Sequence, residues 1–153
     1  MQLEIEGIDY TNTLGPWIGK TYKMLDCYME SVLLENGIEI SKQQWLILNL
    51  VNNNKGISQN ELARFANRDK TSVTRFISNL ESKAYLKRES SKKDKRVKNL
   101  YLTDLGLKTL KKTTPIVRKA VLKLQNELSK DEIKFAISSL KKIQDKITQI
   151  KSK

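Results

Sequence analysis

Residues 90–103 read SSKKDKRVKNLYLT, and this stretch decides the fold. A polar run with four cations around a single acid turns into a short β-forming segment and stops at Thr103, a good helix cap. Residues 85–89 and 97–102 are both typical of strands, so together they predict a β-hairpin with a basic tip. The charged residues of this tip are Lys92, Lys93, Asp94, Lys95 and Arg96.

Composition limits the class of protein. The 153 residues are 39% hydrophobic, which suffices for one domain with a core. No run approaches the roughly 18 apolar residues of a membrane span, and the acidic N-terminus lacks the regions of a signal peptide. The chain has no histidine and one cysteine, Cys27, so histidine-based catalysis, imidazole metal sites and intrachain disulfides are excluded. We expect a cytoplasmic protein that is not an enzyme and uses no cofactor or metal.

Positive charge is concentrated after residue 57. The net charge of +12 divides into −3 for residues 1–57, +9 for residues 58–112 and +6 for residues 113–153. Such a concentration is typical of a phosphate-binding surface, but a lysine-rich surface that only maintains solubility has the same composition. Charge alone therefore leaves both interpretations open.

The spacing of apolar residues predicts helices on both sides of the hairpin. The first spans residues 10–35, and Pro16 should mark its regular start or a kink. Pro115 is expected to interrupt the fifth helix or to divide it in two. Capping residues predict where the other helices start. These starts are Ser41, Ser58, Asp69, Thr103 and Ser129.

The third and fourth helices, at about residues 58–66 and 69–83, have the spacing of a helix-turn-helix. Ala63 is small where the helices cross, Asn67 tolerates the left-handed turn, and Val73 is the early apolar residue of the second helix. The outward face of that helix carries hydroxyls and cations near its N-terminus. These groups suit base edges and phosphates, although an ordinary solvated face is the alternative. The face consists of Lys70, Thr71, Ser72, Thr74 and Arg75.

A basic hairpin that directly follows a recognition helix is the wing of a winged helix. Its tip can lie on the sugar-phosphate backbone, and Arg96 suits the negative potential of a narrow minor groove. Asp94 lies two residues away and could pair with the Arg96 guanidinium across the turn, which would orient it. We therefore expect a mainly α fold with a small β-hairpin wing that contacts DNA.

With these motifs the chain resembles the MarR family of bacterial transcriptional regulators. The matching segments are SQNELA at 58–63, DKTSVTR at 69–75, LESK at 80–83, DKR at 94–96 and LYLTDLG at 100–106. The resemblance implies an obligate homodimer that reads a pseudo-palindromic operator in double-stranded DNA. It also implies a single domain, residues 1–153, with a winged-helix core at about 41–112 and dimerisation helices at about 8–36 and 113–153. Ala84 replaces the glycine that the family commonly has before the first wing strand, and it is strained if its φ is positive.

An apolar stripe on the last helix predicts a dimer interface. Its residues recur at steps of three and four, and a terminal helix cannot bury such a stripe against its own core alone. The stripe consists of Ile133, Ile137, Leu140, Ile143, Ile147 and Ile150.

Three aromatic residues and the cysteine invite further interpretation. Trp17, Tyr22 and Trp45 could line a pocket for a small aromatic or amphipathic effector, as the resemblance implies, but core packing explains them equally well. Cys27 lacks the neighbouring histidine or lysine cluster that activates a thiol. We therefore expect a buried core or interface thiol and not a redox sensor.

These features predict a sequence-specific regulator of bacterial transcription, a homodimeric repressor that a small effector could release. Two alternatives stay open. A non-specific architectural DNA-binding protein would use the same basic wing, and a basic helical interaction module would set the same face against an acidic protein.

Overall fold

A computed structural model describes residues 4–65, 70–91 and 94–152 of the protein. In chain order its elements are β1 (Glu4–Ile5), β2 (Ile8–Asp9), a 3₁₀ turn (Tyr10–Asn12), α1 (Leu14–Glu35), α2 (Lys42–Asn53), α3 (Gln59–Phe65), α4 (Lys70–Ser82), β3 (Leu86–Ser90), β4 (Lys98–Leu102), α5 (Asp104–Gln125) and α6 (Lys130–Lys151). The prediction of a mainly α fold with a β-hairpin wing is confirmed. None of these helices is long and apolar enough to cross a membrane.

The chain forms two compact units, Met1–Val117 and Arg118–Lys153. The core of the first unit lies where α2, α3 and α4 pack together against the β3–β4 hairpin. Each of these elements contributes completely or almost completely buried aliphatic side chains, and each such burial stabilises the fold by about 1.5–3 kcal/mol. They are Leu48, Val51, Leu62, Val73, Ile77, Leu80, Leu86 and Leu100.

The hairpin pairs β3 with β4 over all five residues of each strand, within one residue of the predicted bounds. The chain just before α3 runs along the other edge of β4. The N–H of Gly56 donates to the carbonyl of Leu100 at 3.1 Å, and the N–H of Leu100 donates to the carbonyl of Ile57 at 2.9 Å. This pairing places the N-terminus of α3 next to the wing.

The turn that enters the wing and the start of α5 form one joint. Ala84 has a φ of 57°, so the strain anticipated for it is present. Its carbonyl accepts a hydrogen bond from the Thr103 hydroxyl at 2.5 Å, and that hydroxyl accepts one from the N–H of Gly106 at 3.0 Å. Thr103 is therefore the cap of α5, as predicted. A Cβ at Gly106 would lie 2.0 Å from the carbonyl oxygen of Tyr85, so only glycine fits there.

Three of the predicted helix starts, Ser41, Ser58 and Ser129, are capping boxes, in which the serine and the third helical residue bond to each other's backbone N–H. In α2, Ser41 Oγ accepts from the N–H of Gln44 at 3.2 Å, and Gln44 Oε1 accepts from the N–H of Ser41 at 2.9 Å. Glu61 in α3 and Glu132 in α6 take the place of the glutamine. The hydroxyl and the N–H of the capping serine donate to each of these carboxylates and thereby lower the pKa of Glu61 and of Glu132.

α1 begins at Leu14 and not at residue 10. Residues Tyr10–Asn12 instead form a 3₁₀ turn, because the carboxylate of Asp9 caps it and Thr13 is extended. Pro16 lies in the first turn of α1, where a backbone N–H would have no partner inside the helix, so the helix begins without a kink there.

α5 runs through Pro115 without interruption, so the prediction of a broken helix is wrong. An interior proline costs about 3 kcal/mol because one helical hydrogen bond is lost. Residues on both sides of the proline are held by packing, since Thr113 and Val117 are buried. Packing of these flanks outweighs the local cost.

The apolar residues of α6 lie on its surface. None of the side chains of Lys130–Lys151 is buried by the residues that the structure describes. In the predicted stripe, Ile137, Leu140, Ile147 and Ile150 are exposed by 41–63%, while the other two members are partly buried. A single chain therefore leaves most of the stripe in water.

α1 likewise exposes apolar side chains along its length. Cys27 is among its exposed residues, so the interpretation as a buried core thiol is wrong and only the interface interpretation stays a prediction. The thiol is exposed because it lies on the side of α1 away from its buried residues, Met29 and Leu33. The large exposed side chains of the helix are Leu14, Trp17, Ile18, Tyr22, Met24, Leu25 and Leu34.

Candidate nucleic-acid interface

α4 presents a polar face on the side away from the core. Thr71 and Arg75 are exposed, and Ser72 and Thr74 are partly exposed. The guanidinium of Arg75 lies over the ring of Phe76, 5.7 Å from its centroid, a cation–π contact that restricts the arginine at the surface. A hydroxyl and a guanidinium one turn apart on one helix can both reach base edges in a major groove.

Side chains of α2 and α3 fix the position of α4. Gln44 Nε2 donates to Asn79 Oδ1 at 2.5 Å, and Gln59 Nε2 donates to Thr74 Oγ1 at 2.6 Å. Gln44 also completes the capping box of α2 with Ser41, so one buried amide joins the start of α2 to the second half of α4. The hydroxyl of Thr74 takes part in helix packing as well as lying on the predicted DNA-contacting face.

The described part of the wing tip, residues 94–97, is a tight turn organised by Asp94. Its carboxylate accepts a hydrogen bond from the backbone N–H of Arg96 at 2.9 Å, and its carbonyl accepts one from the N–H of Val97 at 2.9 Å. The predicted ion pair with the Arg96 guanidinium is not among the ion pairs of the described residues. An aspartate two residues before a backbone N–H bonds to it locally and bends the chain, so the carboxylate is engaged with the backbone. Lys95 and Arg96 are both exposed.

A groove of about 270 Å³ lies between the wing and the N-terminus of α3. It brings together two cations, a hydroxyl and two amides, all of which can donate hydrogen bonds to phosphate oxygens. Of these residues, the sequence predicted only Arg96 as a DNA contact. The others were missed because the segment before α3 pairs with β4 through a long-range contact. The groove is lined by Ser58, Gln59, Asn60, Arg96, Val97 and Lys98.

Several residues with predicted roles lie outside the described residues. They are the turn residue Asn67, the helix cap Asp69 and the wing lysines Lys92 and Lys93, and for Lys70 only the backbone is described. Their roles stay predictions.

The three aromatic residues of the predicted effector pocket differ in their surroundings. Trp17 and Tyr22 are 57% and 52% exposed, and the ammonium of Lys42 lies 5.3 Å from the centroid of the Tyr22 ring. Trp45 is partly buried, and its indole N–H donates to the hydroxyl of Thr114 on α5 at 3.2 Å. An indole N–H that packing removes from water needs such a partner, so the bond favours the packing interpretation for Trp45.

An apolar cavity of about 220 Å³ lies between α2, α3 and α4. None of the three aromatic residues lines it. Its walls are Gln43, Leu46, Ile47, Leu50, Phe65, Val73 and Phe76.

Comparisons with known proteins find similarity to one family in the winged-helix part. Residues 40–98 match the model of the MarR family. The chain is 29% identical to the HTH-type transcriptional regulator YybA of Bacillus subtilis over 82 residues, which are 54% of this chain and 52% of YybA. It is 26% identical over 113 residues to a second HTH-type transcriptional regulator of the same organism, YdgJ, with 74% of this chain and 69% of YdgJ covered. The match to YybA thus spans about half of that relative.

Solved structures show the same fold. The structure of Staphylococcus aureus MepR in complex with DNA has a TM-score of 0.80 and 24% identity, with 88% of this chain and 98% of MepR covered. The structure of Streptomyces coelicolor PcaV in complex with its natural ligand has a TM-score of 0.81 and 17% identity, with 92% and 98% covered. The predicted resemblance is confirmed to this extent: residues 40–98 match the MarR family model, and the chain shares the winged helix-turn-helix fold of these structures.

Proposed function

We propose that the protein is a cytoplasmic, sequence-specific DNA-binding regulator of bacterial transcription that acts on a pseudo-palindromic operator as a homodimeric repressor. The observation that carries this proposal is the polar face of α4, with Thr71 and Arg75 exposed one turn apart and the opposite face buried. The segment that contains this helix and the wing holds the highest share of positive charge, +9 over residues 58–112.

In this proposal α4 reads the sequence and the wing anchors the backbone. Arg75 would donate to a guanine edge in the major groove, where a bidentate arginine is the commonest specific contact. Arg96 would enter the adjacent minor groove, while Lys95 and Lys98 contact phosphates. The groove between α3 and the wing supports this arrangement, because it lies beside the tip and is rich in hydrogen-bond donors.

Exposed apolar surface supports the homodimer. Most of the stripe on α6 and the exposed apolar side chains of α1 lie in water in a single chain, and such patches mark association surfaces. A second copy would also supply the two-fold symmetry that a pseudo-palindromic operator requires. Release by a small effector is part of the proposal, because the PcaV structure of the same fold holds a natural ligand.

Selection of bound duplexes from a random pool tests the reading role of α4. Wild type should enrich one symmetric motif. The Arg75→Ala variant should bind that motif about 1–3 kcal/mol more weakly and relax the preference at one base position in each half-site. Lys98→Ala is the matched control, because it removes one cation from the wing and should weaken all duplexes alike, with a salt slope reduced by about one. An unchanged motif for Arg75→Ala would refute the assignment of α4 as the reading element.

A further inference from the structure

Arg88 on β3 connects the wing to α4. Its Nη2 donates to Ser78 Oγ at 2.9 Å, and its Nε lies 3.3 Å from Oε2 of Glu81. Ser78 and Glu81 are three residues apart and therefore share one face of α4. Alternation along β3 places Arg88 on the same side as the buried Leu86, which brings its side chain onto the helix.

Arg88 lies between a hydroxyl and a carboxylate of α4, which a guanidinium can contact at the same time. Its side chain is 26% exposed, and its buried Nε forms no aligned hydrogen bond, so the ion pair with Glu81 compensates for the lost water. An apolar residue in this place would avoid that desolvation cost. What an apolar residue lacks is the rigid fork of donors, which sets both the distance and the angle between two elements.

The geometry points to Arg88 as a positioning residue that holds the wing at a fixed angle to α4. This inference rests on the proposed function, because a fixed angle allows Arg75 to enter the major groove and Arg96 the adjacent minor groove at the same time, without rearrangement of the wing. Leu86 and Leu100 hold the base of the wing in the core, so Arg88 restricts the part of β3 that lies beyond Leu86. Without this contact that part of the wing would have to be ordered when DNA binds, which lowers affinity. Arg88 itself need not touch DNA.

The neighbouring residue offers a matched control. Lys87 lies on the same strand, carries the same charge and points to the opposite side, where it pairs with Glu89 at 2.8 Å. Both partners of that pair are about half exposed, so the pair contributes little to the structure. Lys87→Ala therefore removes one charge from β3 and leaves the connection to α4 in place.

Two measurements test the inference. In operator titrations, Arg88→Ala should lose about tenfold in affinity, the equivalent of one hydrogen bond to a charged group, and should lose the preference for A·T-rich flanks. Without DNA, the backbone amides of β3 and β4 should exchange faster with solvent in Arg88→Ala than in wild type. Arg88→Lys keeps the charge without the fork and should behave like Arg88→Ala in both measurements. Lys87→Ala should weaken all duplexes by one common factor and leave amide exchange unchanged.

The outcomes separate this inference from the proposed function. If wild type bound no duplex selectively, the proposed function would fail, while amide exchange would still report on the connection between wing and helix. If Arg88→Ala matched Lys87→Ala in flank preference and exchange, or if Arg88→Lys behaved as wild type, the positioning role would be wrong. Thermal unfolding shows whether each variant is folded, and Glu81→Gln, which weakens the same contact from the helix side, replaces Arg88→Ala if that variant is unfolded.

Discussion

At the scale of single residues, two positions determine the strain in the joint between α4, the wing and α5. One carries a methyl group and the other lacks one. Ala84 carries a methyl group where the backbone has a φ of 57°. Gly106 lacks one where a Cβ would lie 2.0 Å from the carbonyl oxygen of Tyr85. The first methyl group strains the turn, and a second at residue 106 would force the helix away from it.

Opposite substitutions at these positions should have opposite effects. Ala84→Gly should raise the free energy of unfolding by about 0.5–1 kcal/mol, because relief of about 1–2 kcal/mol of left-handed strain outweighs the added entropy of the unfolded chain. Gly106→Ala should lower it by about 3 kcal/mol, because overpacking against backbone is not easily relaxed. Urea denaturation of the two variants and wild type measures both changes. A destabilised Ala84→Gly or a neutral Gly106→Ala would contradict this account of the joint.

The contact that Asp94 makes in the structure differs from the one predicted from the sequence. The sequence suggested an ion pair with Arg96, whereas the carboxylate bonds to the backbone N–H of that residue at 2.9 Å. We therefore expect Asp94→Ala to weaken operator binding, because the loosened turn must be ordered on contact. Asp94→Asn keeps an acceptor oxygen and removes a negative charge beside DNA, so it should bind as tightly as wild type or more tightly. Titration of both variants at two salt concentrations is the test, and tighter binding by Asp94→Ala would disprove the organising role.

At the scale of secondary-structure elements, the capping boxes differ in the chemistry of their third helical residue. Hydrogen bonds from the capping serine lower the pKa of Glu61 in α3 and of Glu132 in α6. These hydrogen bonds stabilise the folded protein fully at a pH above the ordinary glutamate pKa of 4.5. The stabilisation is lost as the pH falls through the lowered pKa that the two glutamates have in the folded state. Gln44 in α2 accepts the same bond without titrating.

The double variant Glu61→Gln/Glu132→Gln should be less sensitive to acid than wild type. The amide oxygen can accept the serine N–H as Gln44 does, but no carboxylate remains to be protonated. The melting temperature of the variant should fall less between pH 7 and pH 3 than that of wild type. An equal fall in both proteins would show that the two caps contribute nothing to the pH dependence.

Elements that depend on residues close together in the chain could be predicted from the sequence, and features that depend on tertiary contacts could not. The helix starts at Ser41, Ser58 and Ser129 were predictable because a capping box needs only two residues that are three apart in the chain. The continuous helix through Pro115 was not, because it depends on tertiary packing. The partners of Arg88 and the groove beside Ser58 likewise depend on which elements meet in space.

At the scale of the whole molecule, the exposed stripe of α6 predicts the oligomeric state. Sedimentation of wild type at micromolar concentration should show a dimer. Ile147→Glu should yield a monomer that has lost tight operator binding, since a charge in an apolar interface is costly. Lys146→Glu changes the neighbouring exposed residue of the same helix and should remain a dimer. A wild type that sediments as a monomer would refute the proposed interface.

Competition between the selected operator and an unrelated duplex tests the central claim most directly. Both duplexes would have the same length and would be titrated against bound wild-type protein at moderate salt. A sequence-specific regulator should require at least about 10³ times more of the unrelated duplex for the same displacement. Equal competition by the two duplexes would contradict sequence-specific recognition and would identify the protein as a non-specific architectural DNA-binding protein.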